Sequence, residues 1–138
     1  MTPRRHHRLV LLSLLGLWTA NAAFSADWML VRQSGNSDHF IDTASIKVDS
    51  SRSKAPGSIR LSTWKFTHKA PDHAIQVPWI EYTILLIASD CKEHRERIDE
   101  MTFFLSDGSK EKQNVNDPVL WDPGLGDEGD LVCNWGLK

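Results

Sequence analysis

Residues 58–68 (SIRLSTWKFTH) decide the fold, because their side chains alternate as they do along a β-strand. In an extended chain, Trp64 and Phe66 share one face, whereas Leu61 and Lys65 share the other. β-Branched and aromatic residues fit a pleated, half-buried surface. The stretch therefore predicts a β-strand with two different faces.

The next long stretch, residues 79–90 (WIEYTILLIASD), is the most apolar part of the chain outside its N-terminus. A buried helix of this length is an alternative, but the enrichment in Ile, Thr, Tyr and Trp favours a strand. Residues 69–78 between the two stretches hold two prolines and predict a loop.

Residues 91–106 (CKEHRERIDEMTFFLS) fit two structures. Oppositely charged pairs four residues apart, such as Lys92 with Glu96, support a helix, whereas the like-charged pair of Glu96 and Glu100 opposes one. Alternation of side chains fits a strand as well, and residues 101–106 look extended in either case. The residues alone leave both structures open.

Turn signals predict two hairpins. The strand-like residues 28–33 and 39–42 are separated by the cluster Ser-Gly-Asn-Ser at 34–37. Asp-Gly at 107–108 is a strong hairpin signal, and residues 110–115 are expected to form the polar returning strand.

Two shorter segments are expected to interrupt the strands. Asp42 begins residues 42–46 (DTASI), where a polar side chain can cap a single helical turn before the chain becomes extended again. Residues 50–57 (SSRSKAPG) predict a polar loop.

The C-terminal segment predicts a short helix. Residues 127–130 (DEGD) place acids in a first turn, and residues 131–133 (LVC) follow with apolar side chains. Gly126 and Gly129 make such a helix intrinsically weak. A tether to the rest of the protein would therefore be needed to hold it.

The first 26 residues have the three parts of a secretory signal peptide: arginines within residues 4–8, a short apolar run at 9–18, and small residues at 19–26. A membrane-spanning helix needs about 20 apolar residues, so an uncleaved anchor is the less favoured alternative. We predict a signal peptide at residues 1–26 and one domain at residues 27–138. No cysteine follows the apolar run, so no membrane anchor is expected after cleavage.

Composition narrows the class of protein. The chain has 138 residues and a net charge of −2, with 41% hydrophobic and 25% charged residues, values that exclude a disordered or collagen-like protein. The balance is not basic, so a nucleic-acid partner is not expected. In the oxidising compartment that a signal peptide implies, Cys91 and Cys133 are expected to form a disulfide rather than remain free thiols.

An ordered set of short features runs through nearly all of residues 27–138 and together carries a family resemblance. In chain order they are Trp28, Phe40-Ile41-Asp42, Ser45-Ile46, Arg60 to Phe66 (RLSTWKF), Glu81-Tyr82, Cys91, Arg95, Arg97, residues 105–108 (LSDG), Trp121, Pro123-Gly124 and Cys133. In this order the chain resembles the bacterial surface-adhesin protein E-like family.

The resemblance implies an α+β, mainly β fold: an antiparallel sheet of about six strands. It also implies a short C-terminal helix held on one face by the Cys91–Cys133 disulfide, and it favours a strand within residues 92–106. The named member of the family is an outer-membrane lipoprotein that binds host matrix and serum proteins. The present chain lacks the lipid-attachment cysteine, so a surface location and an adhesin role do not follow directly.

The candidate protein-binding residues are basic or aromatic. They are Lys92, Arg95, Arg97, Trp64 and Trp79. On a strand, Arg95 and Arg97 point to one side and could contact an anion, unless neighbouring acids neutralise them. The tryptophans could form either a core or an exposed patch.

Nothing in the sequence predicts a catalytic set, a cofactor or a metal site. The histidines at 39, 68, 73 and 94 match no familiar ligand spacing. A Cys91–His94 catalytic pair is disfavoured because the disulfide would consume the thiol. We expect a secreted or periplasmic, non-enzymatic protein that binds host or envelope proteins. The alternatives are a periplasmic accessory, assembly or inhibitor protein and a small hydrolase.

Overall fold

Strands make up most of the structure, a computed structural model that describes residues 25–71, 77–115, 121–123 and 126–136. The elements are β1 (Trp28–Gln33), β2 (Ser37–Val48), β3 (Ile59–His68), β4 (Ile80–Asp90), β5 (Arg95–Leu105), β6 (Lys110–Asn114), β7 (Asp122–Pro123) and α1 (Asp127–Asn134). The predicted signal peptide lies almost wholly outside the described residues and stays a prediction.

The six longer strands form one antiparallel sheet in which each strand pairs with the next along the chain, from β1 to β6. The two-residue strand β7 pairs with the start of β5, beyond the end of β6. An antiparallel sheet of six main strands with a short C-terminal helix is therefore confirmed. Residues 91–106, which fitted two structures, contain a turn at 91–94 followed by β5.

Both predicted hairpins are present. The one at Asp107 and Gly108 is closed by a hydrogen bond from the backbone N–H of Leu105 to the carbonyl of Ser109. Gly108 has φ of +83°, a conformation that glycine adopts without strain. The side chain of Asp107 accepts hydrogen bonds from the backbone N–H and hydroxyl of Ser109, which fixes the turn.

The predicted helical turn at residues 42–46 is wrong. The chain stays in β2, where Asp42 pairs with Thr63 but Lys47 already pairs with Leu61, so the intervening residues form a wide bulge. The Ser45 hydroxyl stabilises the bulge by donating to the carbonyl of Asp42 and accepting from the backbone N–H of Thr63. These local hydrogen bonds satisfy the backbone without a helix.

The core lies between the sheet and α1. Ile41, Trp64 and Leu85 are neighbours across β2, β3 and β4, and each is no more than 4% exposed. Val132 of α1 packs onto this row and is fully buried. An aromatic side chain that buries its whole ring provides a large apolar area, which explains why Trp64 sits at the centre.

Two links hold α1 against the sheet. Cys133 of α1 forms the predicted disulfide with Cys91, with sulfur atoms 2.04 Å apart. The guanidinium of Arg60 in β3 donates from Nη1 to the carbonyl oxygens of Val132 and Trp135, at 3.0 and 2.6 Å. These bonds give the Trp135 carbonyl a partner and add to the one that Val132 accepts from the backbone N–H of Trp135.

The sheet has two unlike faces. We call the side that carries Trp64 and α1 the helix face, and the opposite side, which carries Leu61 and Lys65, the open face. The predicted division of residues 58–68 between two faces is thus confirmed. No helix among the described residues has the length and apolar character needed to cross a membrane.

Candidate binding site: a basic–aromatic groove

A groove of about 550 Å³ lies at one end of the open face, where β4 ends and β5 begins. Five of its side chains are basic and one is an indole. We call them the basic–aromatic groove: Arg52, Lys54, Lys92, Arg95, Arg97 and Trp121. Three separate parts of the chain supply them, namely the loop before β3, the β4–β5 hairpin and the residue before β7.

Arg95 and Arg97 lie over the ring of Trp121. Their guanidinium carbons are 4.7 and 5.2 Å from the ring centroid. The two side chains share a face because they are two residues apart on β5. It is the open face, since Arg97 pairs with Ala88, which lies opposite Leu61. The pairing of β7 with β5 at Arg95 and Glu96 brings Trp121 into place. Cation–π contact with an indole stabilises each cation and holds its plane.

Asp90 orients Arg95. Its carboxyl is buried, with a side chain 8% exposed, and accepts from Nε and Nη2 of Arg95 at 3.3 and 3.2 Å. The other carboxyl oxygen accepts from the backbone N–H groups of Lys92 and Glu93. Asp90 therefore fixes the hairpin turn and the arginine together. His94 completes the turn with φ of 51°.

A β-bulge delivers the second carboxylate. Leu86 pairs with Glu100 but Ile87 pairs with Ile98, so Asp99 has no partner residue on β4. Bulges re-aim side chains in this way next to functional sites. Oδ1 of Asp99 lies 2.8 Å from Nη2 of Arg97. Its two oxygens also contact Nη1 and Nη2 of Arg52, at 3.0 and 2.6 Å.

The pKa of Asp99 reflects two opposing effects. Burial raises it, but hydrogen bonds from Arg52 and Arg97 outweigh burial and hold the pKa below its ordinary value. In the loop before β3, hydrogen bonds from Ser51 and then Arg52 lower the pKa of Asp49 to about 2. The bond to Asp99, with further help from Asp49, raises the pKa of Arg52. All three groups are therefore charged at neutral pH.

The groove keeps unused donors. Within the described part of the chain, neither Nη1 of Arg95 nor Nη1 of Arg97 has a hydrogen-bond partner, and Lys54 and Lys92 form no ion pair. The two lysines are exposed at its rim. Arginine planes with free donors suit carboxylate or phosphate oxygens. The arrangement can therefore hold an anionic group against an aromatic wall.

The structure brings together three of the five candidate protein-binding residues, Lys92, Arg95 and Arg97. It removes Trp64, which is 2% exposed in the core, from any surface that could contact a partner. Trp79 is half-buried but lies at the opposite end of β4, where its backbone N–H donates to the hydroxyl of Ser106. Trp79 is therefore not part of the groove.

Three groove residues, Arg52, Lys54 and Trp121, were not among the candidates. Arg52 lies in a loop that the sequence marks only as polar, and Trp121 is separated from Arg95 by more than 20 positions. Sequence reasoning also expected nearby acids to neutralise the arginines. Each arginine does pair with a nearby carboxylate, Arg97 with Asp99 and Arg95 with Asp90, whereas Glu96 points to the helix face. Only the pairing of β7 with β5 reveals the contact with Trp121.

The helix face carries the opposite charge. Glu96 accepts a hydrogen bond of 3.3 Å from Ser89, and burial raises the pKa of its carboxyl. The negative charges of Glu128, Asp122 and Asp130 raise the pKa further. The acidic C-terminal segment is therefore concentrated on the side away from the groove.

Two histidines of the described residues have ordinary polar partners. His39 contacts Glu128 through Nδ1 at 3.1 Å, and His68 contacts the hydroxyl of Thr83 through Nε2 at 3.1 Å. His73 lies outside the described residues. Nothing in this arrangement makes a histidine part of the groove.

Comparison with protein-family models, with curated proteins and with solved structures finds no match for this chain. The fold and the groove geometry thus define the class as a disulfide-tethered antiparallel β-sheet domain with a basic surface groove. The resemblance to the surface-adhesin protein E-like family stays a prediction from the sequence.

Proposed function

We propose that this chain is an exported, non-enzymatic protein that binds an acidic segment of a host or cell-envelope protein through the basic–aromatic groove. The observation that supports the proposal best is the contact of Arg95 and Arg97 with one indole ring. Each arginine is held by a carboxylate, and its Nη1 donor has no partner among the described residues. A preorganised pair of this kind loses little entropy when it binds a carboxylate.

The state of the acidic groups favours binding over catalysis. A general base must accept a proton near the working pH. Asp99 is a poor base, because its pKa is lowered and its oxygens contact Arg52 and Arg97. Asp90 is committed in the same way to Arg95 and to the turn. These carboxylates position cations, which is the role expected in a recognition site.

The disulfide supports an exported location. Disulfides form and persist in oxidising compartments such as the periplasm and the cell exterior. The Cys91–Cys133 bond is consistent with such an environment. Fractionation of intact and lysed cells would distinguish a periplasmic protein from one on the cell surface. Surface display favours a host protein as the partner, and periplasmic retention favours an envelope protein.

Binding of an oligoglutamate peptide, followed by calorimetry, tests the groove directly. Arg95→Ala removes one of the two cations over Trp121 together with its Nη1 donor, so we expect affinity to fall about tenfold. Arg32→Ala is the matched control, since Arg32 is 62% exposed and contacts Glu128 beside α1. Equal affinity of the Arg95 variant and wild type, with both folded by circular dichroism, would refute the proposal.

A further inference from the structure

The open face continues beyond the groove without a cover from the described residues. The helix α1 contacts β3 and β4 only from the other side, where Val132 meets Trp64. Several large side chains are therefore left half-buried or exposed on the open face. They are Leu30, Phe40, Leu61, Tyr82, Ile84, Leu86 and Phe104.

The strand register makes this surface continuous with the groove. Arg97 pairs with Ala88, and Leu86, Ile84 and Tyr82 follow at alternate positions of β4 on the same face. From Ala88 to Tyr82 the strand extends about 20 Å at its usual rise per residue. A bound segment that entered the groove could therefore follow the strands across apolar side chains.

Stacked aromatic rings form the far end of this surface. The ring centroids of Tyr82 and Phe104 lie 4.3 Å apart, and the two rings are nearly parallel. Lys65 extends between Trp28 and Phe40, with its ammonium 5.0 and 5.2 Å from the two ring centroids. The rings are thus held by neighbours and do not need to reorganise on binding. Fixed aromatic groups of this kind lower the entropic cost of recognition.

The charge distribution favours a partner of opposite sign. The groove is basic at one end of the open face, and Lys65 and Lys110 are basic at the other. Two acidic residues, Asp90 and Glu93, also line the groove, but its five basic side chains outnumber them. Carboxylates on another protein complement the groove directly.

We infer that the open face binds an amphipathic segment of a partner protein, with carboxylates at one end in the groove and apolar side chains along the following 20 Å or so. The inference rests on the proposed function and extends it from an anionic group to a longer segment. The apolar part of the segment covers the half-buried side chains between Leu86 and Tyr82. Apolar patches of this extent on a small domain commonly mark protein-binding sites.

Two synthetic peptides test the inference by calorimetry. One is the oligoglutamate peptide, and the other carries the same glutamates followed by alternating leucine and serine. The second should bind about tenfold more tightly, because it also buries leucine side chains. Ile84→Thr should reduce this gain and leave oligoglutamate binding unchanged, because Ile84 lies between Leu86 and Tyr82 on β4. Threonine keeps a β-branched side chain there, so the strand tolerates the substitution.

Val48→Thr is the matched control, since Val48 is 50% exposed and pairs with Arg60, which places it on the helix face. Leu30→Glu is a second control, because Leu30 is exposed on the open face but belongs to β1, three strands from β4, and should leave the gain unchanged. Together the three variants separate loss of the surface from loss of the fold.

Equal binding of the two peptides, with no effect of Ile84→Thr, would overturn the inference and leave the groove proposal intact. Failure of both peptides to bind would overturn both. A dimer in sedimentation that Leu30→Glu dissociates would assign the face to a second copy. Binding to anionic phospholipid vesicles but not to peptide would assign it to a membrane surface. Either of the last two results would also refute the inference.

Discussion

The indole Nε1 of Trp64 donates a hydrogen bond of 2.8 Å to the hydroxyl of Ser62, and both side chains are buried in the core. The two residues are on the same face of β3, two positions apart. A buried indole N–H needs a partner, and Ser62 is the residue that supplies it without breaking the sheet. The pair lets the largest side chain of the core be fully enclosed.

Ser62→Ala should therefore destabilise the protein by about 1–3 kcal/mol, the cost of an unsatisfied buried donor. Denaturant unfolding measures the change. In a Trp64→Phe background, which has no N–H, the same serine substitution should cost much less, so the two changes should not be additive. Additive effects would show that the hydrogen bond does not contribute.

Removing the disulfide should destabilise the fold by about 4 kcal/mol, because the bond closes a loop of 42 residues in the unfolded chain. The double variant Cys91→Ser, Cys133→Ser gives the comparison without a reductant. Cys91 lies between Asp90, which orients Arg95, and the groove residue Lys92. Release of α1 should therefore also weaken oligoglutamate binding. An unchanged unfolding midpoint would mean that Arg60 and the packing of Val132 hold the helix without the disulfide.

Glu96 should make the protein less stable as the pH rises. Burial and nearby acids raise the pKa of its carboxyl above the ordinary value of 4.5. The folded state therefore binds the proton more tightly than the unfolded state. Stability from this group is present below pH 4.5 and is lost as the pH rises through the raised pKa. Glu96→Gln should raise the melting temperature at neutral pH, and the difference should vanish below pH 4.5.

Glu81→Gln serves as the control for this change, because Glu81 is exposed on β4. Its melting temperature should follow that of wild type at every pH. If Glu96→Gln gave no gain at neutral pH, the carboxyl would have to be better solvated than its position between Ser89 and the acidic C-terminal segment suggests.

Local patterns predicted most of the sheet. Alternation at residues 58–68, the Asp-Gly turn at 107–108 and the acids at 127–130 each act within a few residues, and the structure has the predicted element at each place. The bulge at 42–46 was missed because Ser45 stabilises it through Thr63, a residue on another strand. Such a bond has no signal within its own segment.

The groove was only partly predictable for the same reason. Arg95 and Arg97 are two residues apart, so a strand places them together. Their partners Trp121, Asp90 and Arg52 are brought in by the β5–β7 pairing, the hairpin and a loop. The sequence therefore predicted that nearby acids neutralise the arginines, but it did not indicate which acids do so. The structure pairs Arg95 with Asp90 and Arg97 with Asp99.

The order of the strands has a consequence for how the molecule assembles. Every main strand pairs with its successor, so the sheet can grow hairpin by hairpin from β1 to β6. The short strand β7 and the helix α1 must then return to the finished sheet. Closure of Cys91 onto Cys133 then reports that assembly is complete, and a trapped thiol at Cys91 marks a molecule that stopped one step short.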